Sequence, residues 1–142
     1  MSAPILEAKD LTMVYGTLVK THALKGVNLE IRPGEFSSII GYSGSGKTTL
    51  LNILGTLDRP TSGTLKLLGE DVTRMSDEQL AAFRNQNLGF IFQFHLLLPE
   101  FTALENVLMP TWIKSRSGNL KLASRAKELL ELVGLKERIN NK

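Results

Sequence analysis

Apolar and polar positions change rhythm twice along this chain. Over residues 5–15, ILEAKDLTMVY, apolar side chains alternate loosely with polar ones. Residues 27–31, VNLEI, alternate cleanly, with Val27, Leu29 and Ile31 on one face. A period of two marks a half-buried strand. Pro33-Gly34 signals a turn, and EFSSII at 35–40 reads as a short strand running into Gly41. The period then lengthens. Leu50, Leu51, Ile53 and Leu54 fall on one side of a helix that opens near Gly46 and ends near Gly55. Loop chemistry in DRPTSG (58–63) and a strand in TLKLLG (64–69) follow.

From residue 76 the pattern becomes mainly helical. Ser76 followed by Gln79 is a capping-box pattern that opens a helix to about Asn85. LGFIFQ (88–93) reads as a buried strand, and Thr102 with Glu105 repeats the capping pattern before ALENVLM. Leu122, Ala126, Leu129, Leu130 and Val133 make an amphipathic stripe that Gly134 closes. Strands interspersed with helices predict an α/β or α+β domain. Met13, Met75 and Met109 fit as packing residues, and His22 has a structural role only.

Composition narrows the function classes. The chain's 142 residues suit one ordinary domain able to bury a core. With no cysteine, disulfide frameworks and thiolate metal sites are excluded. The formal net charge is +3, and residues 112–142 carry eight Lys or Arg against Glu128, Glu131 and Glu137. Leu and Ala interleave these cations at helical spacing, with no aromatic stacking platform, so a solvated helix face is expected and no nucleic-acid partner. The N-terminal MSAPILEAKDL places charges where a signal peptide needs its apolar run, and no run approaches the ~20 residues of a membrane span. The expectation is a soluble, cytoplasmic chain that reaches a membrane only through a partner.

One stretch carries specific chemistry. Gly41-Tyr42-Ser43-Gly44-Ser45-Gly46-Lys47-Thr48 fits G-x-x-x-x-G-K-[ST] completely. Glycines allow positive φ and let backbone N–H groups approach phosphate without a Cβ in the way. The helix that starts at the loop's end aims further N–H groups and its positive dipole end at the anion. Lys47 adds a full charge between β- and γ-phosphates, and Thr48 offers a hydroxyl to Mg²⁺. Chance produces this pattern in roughly one chain in a few hundred of this length. The preceding strand and following apolar helix make a chance match rarer still. Glycines at 41, 44 and 46 do not have the G-x-G-x-x-G spacing of a dinucleotide fold. The loop, with Thr49 behind it, is a nucleotide site, and its expected ligands are ATP and Mg²⁺. A GTPase would supply N-K-x-D for its base, and none occurs here.

From about Leu6 to Lys142 the chain resembles the ATP-binding subunits of ABC transporters, most of all the lipoprotein-releasing and macrolide-export branch. ALKGVNLEIRPGEFSSIIGYSGSGKTTLLNILGTLDRPTSG (23–63) and LGFIFQFHLLLPEFTALENVLMP (88–110) carry the resemblance. It implies a P-loop NTPase core with an N-terminal antiparallel β subdomain and the start of a helical subdomain, divided at about residue 75. Tyr15 in MVYG matches the aromatic residue that stacks on adenine. Gln93 in FIFQF matches the Q-loop glutamine, which ligates Mg²⁺ or positions water and relays nucleotide state to the membrane partner. His95 and LLLPEF (96–101) would lie where a transmembrane permease docks. The implied location is the cytoplasmic face of the inner membrane.

In this family ATP is cut when two such domains close head to tail. L-S-G-G-Q on one caps the γ-phosphate of the other, an apolar strand ending Asp-Glu supplies a Mg²⁺ ligand and base, and a later His contacts the γ-phosphate. None of these occurs in the 142 residues, so Lys47 and Gln93 contribute to an incomplete catalytic set. The expectation is the N-terminal portion of an ATP hydrolase that energises lipoprotein release or export of a hydrophobic substrate or peptide. Two alternatives stay open: a nucleotide-binding interaction module without turnover, and a non-transport ATPase of the cell-division type. The absent acidic strand would lie beside the loop's own strand. Unpaired edges and exposed apolar surface are therefore expected.

Overall fold

Two long strands, β1 (Leu6–Tyr15) and β2 (Thr21–Ile31), pair antiparallel from Leu6↔Ile31 to Tyr15↔Thr21. The computed structural model describes residues 3–94, 96–114 and 120–142. The loose alternation of β1 has a local cause. The ladder slips between Ala8 and Leu11, where Asp10 takes a positive φ of 49°. Asn28 steadies the bulge, its Oδ1 accepting from the Asp10 amide at 3.0 Å and its Nδ2 donating to Asp10 Oδ1 at 3.1 Å. Because one residue is inserted, Ala8 and then Leu11 and Met13 all face inward. β3 (Ser62–Leu67) lies against the other edge of β1, and the two-residue β4 (Glu70–Asp71) completes the order β2-β1-β3-β4. Leu68 and Gly69, both at positive φ, make the tight turn between β3 and β4.

By its contacts the chain divides into two units, Met1–Leu88 and Gly89–Lys142. In the first, α1 (Lys47–Leu54) and α2 (Asp77–Asn87) join the sheet. Leu50, Ile53 and Leu54 of α1 enter one core with Leu11, Met13, Leu24 and Leu65 of the sheet and Leu80 and Phe83 of α2. Leu11, Ile53 and Leu65 are fully buried, each worth about 1.5–3 kcal/mol of apolar burial. The capping box of α2 is formed in both directions: the Gln79 amide donates to Ser76 Oγ, and the Ser76 amide to Gln79 Oε1. Gly55 closes α1.

In the second unit α3 (Ala103–Lys114) and α4 (Leu120–Leu132) pack together and bury Leu108, Ala126 and Leu130. The first amides of α3 donate to carbonyls near the chain's end, Ala103 to Asn141 at 2.9 Å and Leu104 to Ile139 at 3.0 Å. Thr102 and Glu105 form the second capping pair. After α4, Gly134 at φ 76° lets the Leu135 amide reach back to Leu130 at 2.8 Å.

The antiparallel β subdomain and the helices match the sequence expectation. Several details differ. β3 ends at Leu67, so that Leu68 and Gly69 of the expected strand 64–69 form the turn instead. β2 begins six residues before Val27. Residues 35–40 and 88–93 form no strand among the described residues, and Phe36 is 98% and Ile40 89% exposed. An apolar pattern becomes a strand only where a neighbour takes its backbone hydrogen bonds, and among the described residues neither segment joins the sheet. Leu51 points away from the core and is exposed, because the buried arc of so short a helix spans only Leu50, Ile53 and Leu54. On α4 only Ala126 and Leu130 of the stripe are buried; Val133, beyond the helix end, is exposed. Among the described residues α3 is the one helix along α4 in its unit, too narrow a cover for the whole stripe.

Candidate functional site

The loop 41–46 is held against the sheet at its far end. Gly46 is the N-cap of α1, at φ 91°. A Cβ there would stand 2.5 Å from the carbonyl oxygen of Ala23 and 3.2 Å from a methyl of Leu24, so only glycine lets α1 start this close to β2. The loop folds on itself through the Ser45 amide, which donates to the Tyr42 carbonyl at 3.2 Å. A Cβ on Gly41 would come within 2.8 Å of Ser45 Oγ, filling the concavity of the loop. Ser43 and Gly44 form the exposed turn at its tip.

Lys47 is folded back over this loop. Its Nζ donates to the Gly41 carbonyl at 2.8 Å and the Tyr42 carbonyl at 2.7 Å, and lies 3.5 Å from Ser45 Oγ. The ammonium therefore sits on the concave side, with neutral carbonyl partners and, among the described residues, no carboxylate in an ion pair with it. Gly46 brings no side chain to cap the first amides of α1, and no acidic residue stands in its first turn. Those amides have no partner within an α-helix. With the helix dipole and Lys47 they make a positive recess at the start of α1, a setting suited to polyphosphate. Thr48 is exposed on the first turn and Thr49 half-buried beside it. Among the described residues no three His, Asp or Glu side chains gather into a metal cluster. An ion here would rely on the Thr48 hydroxyl and on phosphate oxygens.

Tyr15 lies at the same end of the β1–β2 pair as the loop. It pairs with Thr21, two residues before the Ala23 that supports Gly46. Its ring is about half exposed, and its hydroxyl donates to Asp58 Oδ2 at 3.0 Å. Tyr15 and residues 41–49 are thus brought together within the first unit. Gln93 belongs to the second unit, on an exposed bend after the stacked rings of Phe90 and Phe92. His95 lies outside the described residues. Met13 and Met75 pack in or against the core, and His22 is exposed on β2.

Two contributors were not foreseen from the sequence. The Ala23 carbonyl acts through its backbone, which no side-chain pattern encodes. Asp58 sits in a stretch whose composition signals only a turn; Asp ahead of Pro60 gives no hint that its carboxylate meets an aromatic 43 positions earlier.

A family model described as ABC transporter matches residues 24–142. The lipoprotein-releasing system ATP-binding protein LolD of Geobacter metallireducens is 52% identical over 139 residues, which cover 97% of this chain and 61% of that protein. LolD of Cytophaga hutchinsonii is 53% identical over 138 residues, 96% of this chain and 61% of the relative. Among solved structures, the dimeric ATP-binding cassette MJ0796 in a post-hydrolysis state, bound to ADP and Pi, superposes with a TM-score of 0.85 at 41% identity. That superposition covers 96% of this chain and 60% of the cassette. The chain thus spans about three-fifths of the length of the relatives it matches.

Proposed function

The chain belongs to the ABC transporter family, and from that premise we propose that it binds ATP with Mg²⁺ and forms part of the ATPase that drives lipoprotein release. The observation that carries the reading is the start of α1, where Lys47 rests on loop carbonyls, no side chain caps the helix and no acidic residue stands in its first turn. Residues 41–46 wrap the β- and γ-phosphates with backbone N–H groups, and Lys47 moves its charge from the loop carbonyls to phosphate oxygens. Thr48 would give its hydroxyl to Mg²⁺, with Thr49 half-buried beside it; for Gln93 the family resemblance supports a role as a second Mg²⁺ ligand. Mg²⁺, when bound, would supply charge neutralisation to the phosphates. Tyr15 offers a ring face to adenine.

Hydrolysis, the substrate and the partners belong to the same proposal. Phosphoryl transfer rests on positioning and charge stabilisation, which this recess supplies for one side of the nucleotide. The dimeric state named for the structural neighbours supports a second copy as partner, and the head-to-tail arrangement is what the family resemblance implies. The names of the relatives support lipoprotein release as the work done. Among the described residues no helix is long and apolar enough to cross a membrane, so a permease bound at the Gln93 region would hold the protein at the inner membrane's cytoplasmic face. ATP turnover by the full protein, alone and with its permease, tests the reading. Thr48→Ala and Gln93→Ala should each lower turnover at least tenfold and raise the Mg²⁺ requirement; unchanged turnover in both would end it.

A further inference from the structure

The turn after α1 holds the ring that the proposed function assigns to adenine. Asp58 Oδ2 accepts the Tyr15 hydroxyl at 3.0 Å, and its other oxygen accepts the Arg59 amide at 2.9 Å. The carboxylate is thereby oriented on both sides. Its backbone is fixed as well: the Leu57 and Asp58 amides both donate to the Asn52 carbonyl in the last turns of α1, at 2.8 and 3.2 Å. Two further bonds tie the same turn to β1. The Thr61 amide donates to the Thr12 carbonyl at 2.9 Å, and Thr61 Oγ1 accepts the Val14 amide at 3.0 Å. The turn around Asp58 is thus anchored to both the helix and the strand.

We propose that Asp58 is a positioning residue for the nucleotide base, holding the Tyr15 ring in its stacking orientation and at a set distance from the phosphate loop. The inference rests on the reading that Tyr15 stacks on adenine. α1 starts at the loop and ends at the turn that carries Asp58, a rigid rod of about 12 Å for eight residues. One helix thus places the phosphate donors at its first turn and the anchor of the base platform at its last. A half-exposed tyrosine at a strand end would otherwise sample several rotamers and lose that freedom when a base stacks on it. With the hydroxyl already bonded to a carboxylate, most of that cost falls on folding, and the bound orientation exists before the nucleotide arrives. The bonded hydroxyl also leaves the ring face, and not its polar tip, as the contact offered to a base.

The test compares ATP with inorganic tripolyphosphate, which has the same phosphate chain and no base. Titration calorimetry on the full protein would cover Tyr15→Phe, Asp58→Ala, the double variant and Tyr15→Ala. Tyr15→Phe and Asp58→Ala should each weaken ATP by about threefold to tenfold, with tripolyphosphate affinity unchanged. The double variant should bind ATP no more weakly than the weaker single, because both remove one interaction. The proposal is overturned if the two losses multiply, or if tripolyphosphate weakens in parallel, since Asp58 would then act through the loop's fold. If Tyr15→Ala weakens ATP while Tyr15→Phe and Asp58→Ala do not, stacking stands and the positioning role falls. If Tyr15→Ala leaves ATP affinity intact, stacking fails and the proposal with it. Should Asp58→Ala not fold, Tyr15→Phe loses a single oxygen and decides the matter by the ATP–tripolyphosphate contrast alone.

Discussion

Gly46 and the carbonyl of Ala23 are packed so closely that a Cβ on the glycine would lie 2.5 Å from the oxygen. That contact fixes where α1 begins, and so where its free amides point. Gly46→Ala must either push α1 away from β2 or leave the left-handed conformation at φ 91°. Strain of this kind costs about 1–3 kcal/mol. Chemical denaturation should show a loss of that size, and ATP affinity should fall by more than tenfold because the first amides of α1 are displaced. Gly69→Ala is a control for positive φ without a clash, having nothing within 4 Å of its Cβ. It should lose stability while binding ATP normally.

Ile53 joins the loop's helix to the sheet. It is fully buried among residues of β1, β2, β3 and α2. Ile53→Ala should therefore cost about 2–5 kcal/mol, seen as a lower denaturation midpoint with an unchanged slope. Leu51→Ala on the same helix is exposed and should cost under about 1 kcal/mol.

The start of α3 should respond to acid. The Thr102 amide donates to the Glu105 carboxylate at 2.7 Å and the Thr102 hydroxyl at 2.8 Å, and these bonds hold the Glu105 pKa below its ordinary 4.5. A carboxyl lowered on folding stabilises fully above its unfolded pKa and loses that contribution as pH falls through the folded value. Amides of the first α3 turn should be protected from hydrogen exchange at pH 6 and lose protection below pH 4.5. Glu105→Gln should flatten that dependence.

Phe36, Ile40 and Ile91 expose apolar surface on segments with no ladder partner among the described residues. Such segments are templates for association. The isolated 142-residue polypeptide should bind hydrophobic dyes and self-associate as its concentration rises. A sharp, reversible thermal transition of a monomer would contradict this.

The sequence made some elements legible because their cause is local. The capping box at Ser76 and Gln79, the αL glycine after α4 and the loop 41–48 each depend on a few neighbouring residues, and each was readable. The period of β2 between 27 and 31 was equally plain. Its first half was hidden, because Lys25-Gly26 interrupts the alternation and pairing with β1 decides it. Segments 35–40 and 88–93 read as strands since their side chains suit a sheet. Strand formation is settled by backbone partners, which composition cannot supply. The candidate site divides the same way: Lys47 and Thr48 declare themselves by spacing, whereas the Asp58–Tyr15 bond joins a turn to a strand end that only the fold brings together.

The recess at the head of α1 is proposed to bind a nucleoside triphosphate through Lys47. Calorimetric titration of ATP with Mg²⁺ into the protein and into Lys47→Ala tests it most directly. Saturable one-site binding to the first is expected, with a loss of affinity of at least about tenfold in the second, as removal of a charged hydrogen-bonding partner implies. Equal affinity in the two proteins, with the variant folded, would contradict it.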